Sequence, residues 1–180
     1  CFSGGIVMSD GTQIFANVIV FATGFDAMTG ALQKMNVRGK GGIRLQDAWH
    51  NGPQTYLGLA VPEFPNMFTI TGPGSPSVLT NMPRAIEQHV DWITDLLSYV
   101  IQNDYAEVAV AHVNAKKWTQ YVTDIANKTL LPKANHSWYL GANIPGKHRV
   151  FMPYAFGLNH YRDHCASVAK NCYEGFFMTK

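Results

Sequence analysis

The run Asn17-Val18-Ile19-Val20-Phe21-Ala22 is apolar at every position after the first and stops at Thr23-Gly24. Apolar residues at every position, rather than at every second one, mark a strand covered on both faces, as in a parallel sheet lying between helices. Asn66-Met67-Phe68-Thr69-Ile70-Thr71 is a second candidate for such a buried strand, and it ends in Gly72-Pro73-Gly74. Glycine lets a chain leave a sheet sharply. Ligands of open α/β sheets gather at the carboxyl ends of strands, so the two glycine turns are where a cofactor is expected. Ahead of them, residues 5–8 and 13–15 flank Ser9-Asp10-Gly11-Thr12. Asp-Gly between apolar runs predicts a hairpin.

Helical spacing dominates the second half. Ile86, Val90, Ile93, Leu97 and Val100 recur at threes and fours, predicting a helix over 81–101 with that stripe turned inward. Thr80 or Asn81 can cap it, and Pro83 suits a first turn. A second helix is predicted over 108–130, with Val110, Val113, Trp118, Val122 and Ile125 facing inward and Pro132 as its stop. Residues 133–150 read as a long loop with Gly141, Pro145 and Gly146, and loops of that length tend to be functional. A helix over 158–171 and a strand over 173–177 close the chain. Residues 31–58 are broken up by glycines, with short strands expected at 35–37 and 43–45.

Composition removes several classes of function. Hydrophobic residues are 47% and charged residues 14%, as in a globular protein. A net charge of +2 without a Lys/Arg cluster argues against nucleic acid. No apolar run approaches the roughly 20 residues of a membrane span. Cys1, Cys165 and Cys172 are an odd count and read as free thiols of a soluble cytoplasmic protein. The sequons at Asn127 and Asn135 are then fortuitous. His160 and His164 stand at i and i+4, but no glutamate lies between them, so they are read as surface residues and no metal is expected. Gly72–Ser77 lacks the Gly-Lys-Ser/Thr of a phosphate loop, and no G-x-S-x-G occurs. The chain opens on Cys1-Phe2-Ser3-Gly4-Gly5, without an initiator methionine, and is expected to start inside a longer protein.

Several segments match one family in order and spacing. Val18–Asp26 resembles the strand and Ala-Thr-Gly-Phe-Asp turn of two-dinucleotide flavoproteins. Gly52-Pro53-Gln54-Thr55-Tyr56-Leu57-Gly58 and Phe64-Pro65-Asn66-Met67-Phe68 follow, then Gly72-Pro73-Gly74-Ser75-Pro76 and Ile86–Ile93. Ser137-Trp138-Tyr139-Leu140-Gly141-Ala142-Asn143-Ile144-Pro145-Gly146-Lys147 and Tyr173-Glu174-Gly175-Phe176 complete the set. Across essentially the whole chain these resemble the C-terminal portion of Baeyer–Villiger monooxygenases of the phenylacetone and cyclohexanone monooxygenase type.

The resemblance implies an α/β fold: the C-terminal part of a two-dinucleotide-binding, Rossmann-like flavoprotein, incomplete on its own. Residues 1–26 would end the NADP-binding domain, and 27–180 would form the C-terminal half of the FAD-binding domain, with a mobile loop at 133–150. The implied reaction uses FAD, NADPH and O2 to insert an oxygen beside a ketone carbonyl, giving an ester or lactone. Thr80, Asn81 and Met82 correspond to the segment beside the flavin ring. Thr23 and Gly24 form the crossover between domains. Trp138 matches a tryptophan that packs on the nicotinamide nucleotide, and Lys147 supplies a cation to the same loop. Ser77, Val78, Leu79, Met152 and Pro153 match positions that shape the ketone pocket. No G-x-G-x-x-G occurs, nor the family's aromatic-x-Gly-x-x-x-His-x-x-x-Trp signature. The family's catalytic arginine falls upstream, and neither Arg84 nor Arg149 matches it, so no catalytic residue is assigned. The isolated chain is expected to be inactive and to need the N-terminal part of the same enzyme. Other flavin monooxygenases, oxidising nitrogen or sulfur, and a stand-alone non-catalytic module are the alternatives.

Overall fold

The computed structural model describes residues 1–22, 24–134 and 137–180. Strands β1 (Gly5–Val7) and β2 (Gln13–Phe15) form the expected hairpin, with Gly5 opposite Phe15 and Val7 opposite Gln13. Its turn is closed by Met8 N–H to Thr12 O at 2.8 Å. The run that follows does not become a strand. Val18, Val20 and Phe21 are 77%, 80% and 77% exposed. A strand exists only as a pair, and among the described residues this segment has no neighbour to bond with.

The remaining sheet is also a single antiparallel pair. β3 (Glu107–Val110) lies beside β4 (Phe176–Thr179), Glu107 opposite Thr179 and Val110 opposite Phe176. The structure therefore corrects the helix expected from 108. Its first residues are a strand, and the helix, α4, runs His112–Asn127. Val108, Ala109 and Val110 are all buried, so their pairing with β4 outweighs the helical period that Val110 shares with exposed Val113. Asn66–Thr71 is likewise extended rather than a strand. It makes one bridge, Ala60 to Phe68, and Thr69 N–H bonds Leu59 O at 2.8 Å. The side chain of Asn66 accepts the Val108 N–H at 2.9 Å and donates to Ala106 O at 3.1 Å, standing in for a neighbouring strand at the edge of β3. Of the short strands expected near 35 and 43, one bridge between Arg38 and Arg44 forms. The segment is flanked by short helices α1 (Gly30–Lys34) and α2 (Leu45–Ala48).

Helix α3 (Met82–Gln102) starts where expected, with the Asn81 side chain accepting Arg84 N–H at 3.2 Å and Pro83 in the first turn. Its buried face is rotated from the expected stripe. Ala85, His89, Trp92, Ile93, Leu96 and Val100 point inward, while Ile86, Val90 and Leu97 are exposed. Small Ala85 and polar His89 do not register in an apolar pattern, yet both are buried, His89 with its ring 5.5 Å from that of Tyr161 on α5 (Leu158–Lys170) and its Nδ1 on the Thr71 N–H. The Trp92 indole donates to Cys165 O on α5 at 2.9 Å. Cys165 is buried, and that burial pushes its thiol up to about 12, whereas Cys1 and Cys172 are exposed; all three are free. Cys172 lies past the end of α5, whereas Cys165 is within it. Among the described residues no helix is long and apolar enough to cross a membrane.

Everything meets at the turn Gly72-Pro73-Gly74-Ser75. Thr55 Oγ donates to Pro73 O at 2.6 Å, the Trp118 indole to Gly74 O at 3.0 Å, and Tyr154 N–H to Ser75 O at 2.7 Å. Trp118 stacks flat on Tyr154 with ring centroids 5.7 Å apart. Gly58 packs against this turn so closely that a Cβ there would lie 2.5 Å from Ser75 N, at a backbone φ of +73°. Backbone cannot swing aside, so Gly58→Ala should lower unfolding free energy by about 2 kcal/mol or more. Urea denaturation measures this; a change below about 0.5 kcal/mol would mean the contact relaxes freely.

His89 gives a second test. It is fully buried, and its Nδ1 accepts the Thr71 N–H at 3.0 Å, which leaves the ring proton on Nε2 without an acceptor among the described residues. Burial lowers its pKa from 6.5 to about 4. The unfolded chain therefore takes up a proton that the folded chain refuses. The stability due to neutral His89 is complete above pH 6.5 and is lost as pH falls toward 4, by about 3 kcal/mol. The drop in unfolding free energy across that window should be correspondingly shallower in His89→Phe than in wild type. Parallel curves for the two proteins would contradict it.

Candidate functional site

After the glycine turn the chain makes one 3-10 turn, Ser77–Leu79, passes through extended Thr80, and enters α3 at Met82. Ser77 is buried in a left-handed conformation, φ 42°, and its hydroxyl lies 3.4 Å from the sulfur of Met28. This order of elements places the start of a long helix beside a recess. The recess is a groove of about 420 Å³ walled by Ala27, Met28 and Leu32 on one side and Phe68–Gly72 on another. Ser77, Val78, Met82 and Trp138 complete it. Four of the residues singled out from the sequence thus meet around one opening, although they come from two segments more than fifty residues apart.

The others take different places. Asn81 and Thr80 flank the groove at the helix cap, and Leu79 closes the 3-10 turn. Pro83 has no N–H and the Asn81 side chain takes that of Arg84, so only the Met82 N–H points outward without an acceptor among the described residues. Met152 and Pro153 are buried behind the glycine turn. Met152 N–H bonds Tyr139 O at 2.9 Å and its carbonyl accepts Gly74 N–H at 2.7 Å, so it ties the Trp138 loop to the turn. Met152 and Lys147 line a second, smaller cavity of about 170 Å³ with Trp49 and Thr29. Gly24 lies beside Asn143, while Thr23 is outside the described residues.

Trp138 opens a 3-10 turn, Trp138–Leu140, capped by the Ser137 hydroxyl, which accepts Tyr139 N–H at 3.2 Å. Its ring meets Tyr139 edge-on at 4.3 Å, and Tyr139 in turn meets Phe151 at 6.2 Å. The indole is half-buried and lines the groove. Lys147 Nζ pairs with the Asp26 carboxylate, and Asn143 Nδ2 donates to Phe25 O at 2.9 Å. Sequence reading missed Ala27, Met28 and Leu32 as groove residues, as well as His89, which holds Thr71 at its floor; small and apolar side chains in a glycine-broken segment carry no local signal. His160 and His164 do not converge on an ion. His160 Nδ1 is within 2.6 Å of the Tyr154 hydroxyl, and His164 packs on Trp118. Among the described residues no group of three His, Cys, Asp or Glu side chains is placed to hold a metal.

No protein-family model matches the chain. Individual relatives do. Cyclohexanone 1,2-monooxygenase of an Acinetobacter species is 41% identical over 173 residues, 96% of this chain and 31% of that protein. Phenazine N-monooxygenase of Lysobacter antibioticus is 36% identical over 176 residues, 98% of this chain and 32% of that protein. Cyclohexanone monooxygenase of Rhodococcus sp. Phi1, solved with NADP+, superposes with a TM-score of 0.90 at 39% identity, over 98% of this chain and 33% of that one. OTEMO in complex with FAD and NADP superposes at 0.87 and 35% identity, over 98% of this chain and 32% of that one. The chain spans about a third of the length of the relatives it matches. In sequence and in fold it is a homologue of the C-terminal part of the Baeyer–Villiger monooxygenases.

Proposed function

We propose that the protein carrying this chain is a FAD- and NADPH-dependent monooxygenase that inserts one atom of O2 next to a ketone carbonyl, giving an ester or lactone. The observation that carries this reading is the convergence of Ser77, Val78, Met82 and Trp138 on one groove at the start of α3. The groove suits the edge of a flat heterocycle: Met28, Leu32, Phe68, Ile70, Val78 and Met82 offer apolar walls, and the free Met82 N–H at a helix start offers a donor. Bound there, reduced FAD supplies the activation of dioxygen.

This chain's own part is to bind, orient and exclude water. Thr80, Asn81 and Met82 hold the ring edge, and Trp138 covers the nicotinamide side from its packed turn. Ser77, Val78 and Leu79 bound the ketone, with Met152 and Pro153 supporting them from behind. Lys147 serves the nucleotide through the loop, since its ammonium is engaged by Asp26. Thr23 and Gly24 carry the chain between domains, residues 1–26 ending the NADP domain and 27–180 forming the C-terminal half of the FAD domain. The hydrogen bonds of residues 1–16 run among themselves, which supports a separate first unit, whereas Phe25 and Asp26, at its end, already bond the Trp138 loop of the second. The N-terminal part of the same enzyme is the partner that completes both cofactor sites, and three free cysteines suit a cytoplasmic setting.

Oxidation at nitrogen is the second reading, favoured by the 36% identity with a phenazine N-monooxygenase. Product analysis separates the two: ketones should yield esters or lactones, and an N-oxide formed from an aromatic nitrogen heterocycle in place of any ester would select the second.

In the complete enzyme, Trp138→Ala should weaken NADPH binding by roughly 5- to 150-fold, the cost of about 1–3 kcal/mol for a lost aromatic contact. Coupling should fall, with hydrogen peroxide released, while FAD content stays near wild type. Stopped-flow reduction and a peroxide assay read the first two, and flavin absorbance reads the third. Loss of FAD, or unfolding of the variant alone, would make Trp138 a structural plug instead.

A further inference from the structure

We infer that Asp26 and Lys147 form a latch that holds the Trp138 turn over the groove, which makes Asp26 a positioning residue for nucleotide binding. This rests on the reading of Trp138 just given. Three contacts define the latch. Lys147 Nζ meets the Asp26 carboxylate with both side chains mostly covered, 15% and 25% exposed. Asn143 Nδ2 bonds the Phe25 carbonyl at 2.9 Å, so two neighbouring residues of one segment grip two points of the loop. The Lys147 stem lies across Gly141, where a Cβ would come within 3.0 Å of Lys147 Cδ. Gly141 is the left-handed residue, φ 69°, that ends the turn bearing Trp138, and its N–H bonds the Trp138 carbonyl at 3.0 Å.

The geometry forms a closed loop of contacts. Asp26 fixes Lys147, Lys147 lies on Gly141, and Gly141 fixes the turn from which Trp138 reaches the groove. Immediately after Asp26 come Ala27 and Met28, which line the same groove opposite Trp138. One short segment therefore supplies one wall of the groove and the anchor for the residue that faces it. Two neighbouring cations are engaged elsewhere: Arg44 is bound to Asp47 by two contacts of 2.8 Å, and Arg38 donates to Gly42 O at 3.3 Å. A cation spent on a nucleotide phosphate would stand free in the chain; Lys147 is instead tied to a carboxylate of the chain itself.

The test is a double-mutant cycle in the full-length enzyme with Asp26→Asn, Lys147→Met and both together, plus Lys147→Arg, which keeps a partner for Asp26. Backbone hydrogen exchange over residues 138–150, without nucleotide, reads the latch; NADPH affinity reads its consequence. Each single variant should speed exchange about ten-fold and weaken NADPH comparably, as expected for a partly covered ion pair. The double variant should be no worse than either single one, and Lys147→Arg should stay near wild type. Unaltered exchange in the single variants, or additive effects of the two substitutions on exchange, would overturn the latch. If exchange follows the cycle while NADPH affinity does not, the latch stands and the assignment of Trp138 to the nucleotide falls.

Discussion

The Trp118 indole hydrogen bond to the Gly74 carbonyl joins the helical half of the molecule to the turn from which the groove is built. Gly74 sits at φ +89°, and its carbonyl, like that of Pro73, is buried, so each must find a donor inside the protein. Trp118 supplies one from α4 and Thr55 the other from the segment before Gly58. Because Trp118 also stacks on Tyr154, whose N–H bonds Ser75 O, the same ring clamps the turn from two directions. Burying an unpaired carbonyl costs on the order of 1–3 kcal/mol, so the helices cannot shift without exposing or orphaning the turn. Ser77 and the start of α3 follow directly from it, and Met152 carries the constraint outward to the Trp138 loop.

The aromatic residues that fill this core do polar work at their tips. Tyr161 donates to Leu57 O at 2.6 Å, Tyr56 to Glu174 O at 2.9 Å and Trp92 to Cys165 O at 2.9 Å. Each pairs a large buried surface with one hydrogen bond to a backbone carbonyl. Burial raises the hydroxyl of Tyr56 to about 12 and that of Tyr161 well above its ordinary value, so both remain donors at any physiological pH. A chain with so little regular sheet can thus position long irregular segments, since side chains replace the backbone ladder. Asn66, bonding across the edge of β3, does the same with an amide.

What the residues disclosed beforehand follows the range of the interaction involved. The hairpin at Asp10-Gly11, the cap at Asn81, and helices α3 and α5 depend on neighbours within a few positions, and they were legible. β3 was not, because the identity of Val108–Val110 as a strand rests on Phe176–Thr179, nearly seventy positions later. The inward face of α3 was misjudged because it is chosen by what packs against it: His89 is turned in to accept the Thr71 N–H, a donor's requirement that no apolar period records. For the groove, motif order found Ser77, Val78, Met82 and Trp138, whereas Met28 and Leu32 emerged only when the fold brought them alongside.

The exposed run Val18–Phe21 and the latch at Phe25–Asp26 are consequences of one arrangement. An apolar strand sequence with open backbone on both edges is favourable only when other strands or helices cover it. Five residues further on, the same segment is already fastened to the Trp138 loop by an ion pair and an amide. The contacts of Asp26 with Lys147, and of Lys147 with Gly141, are separate from the core, which is held by Trp118 and Tyr154. The anchor of the Trp138 turn thus does not share the contacts that fix the helices framing the groove.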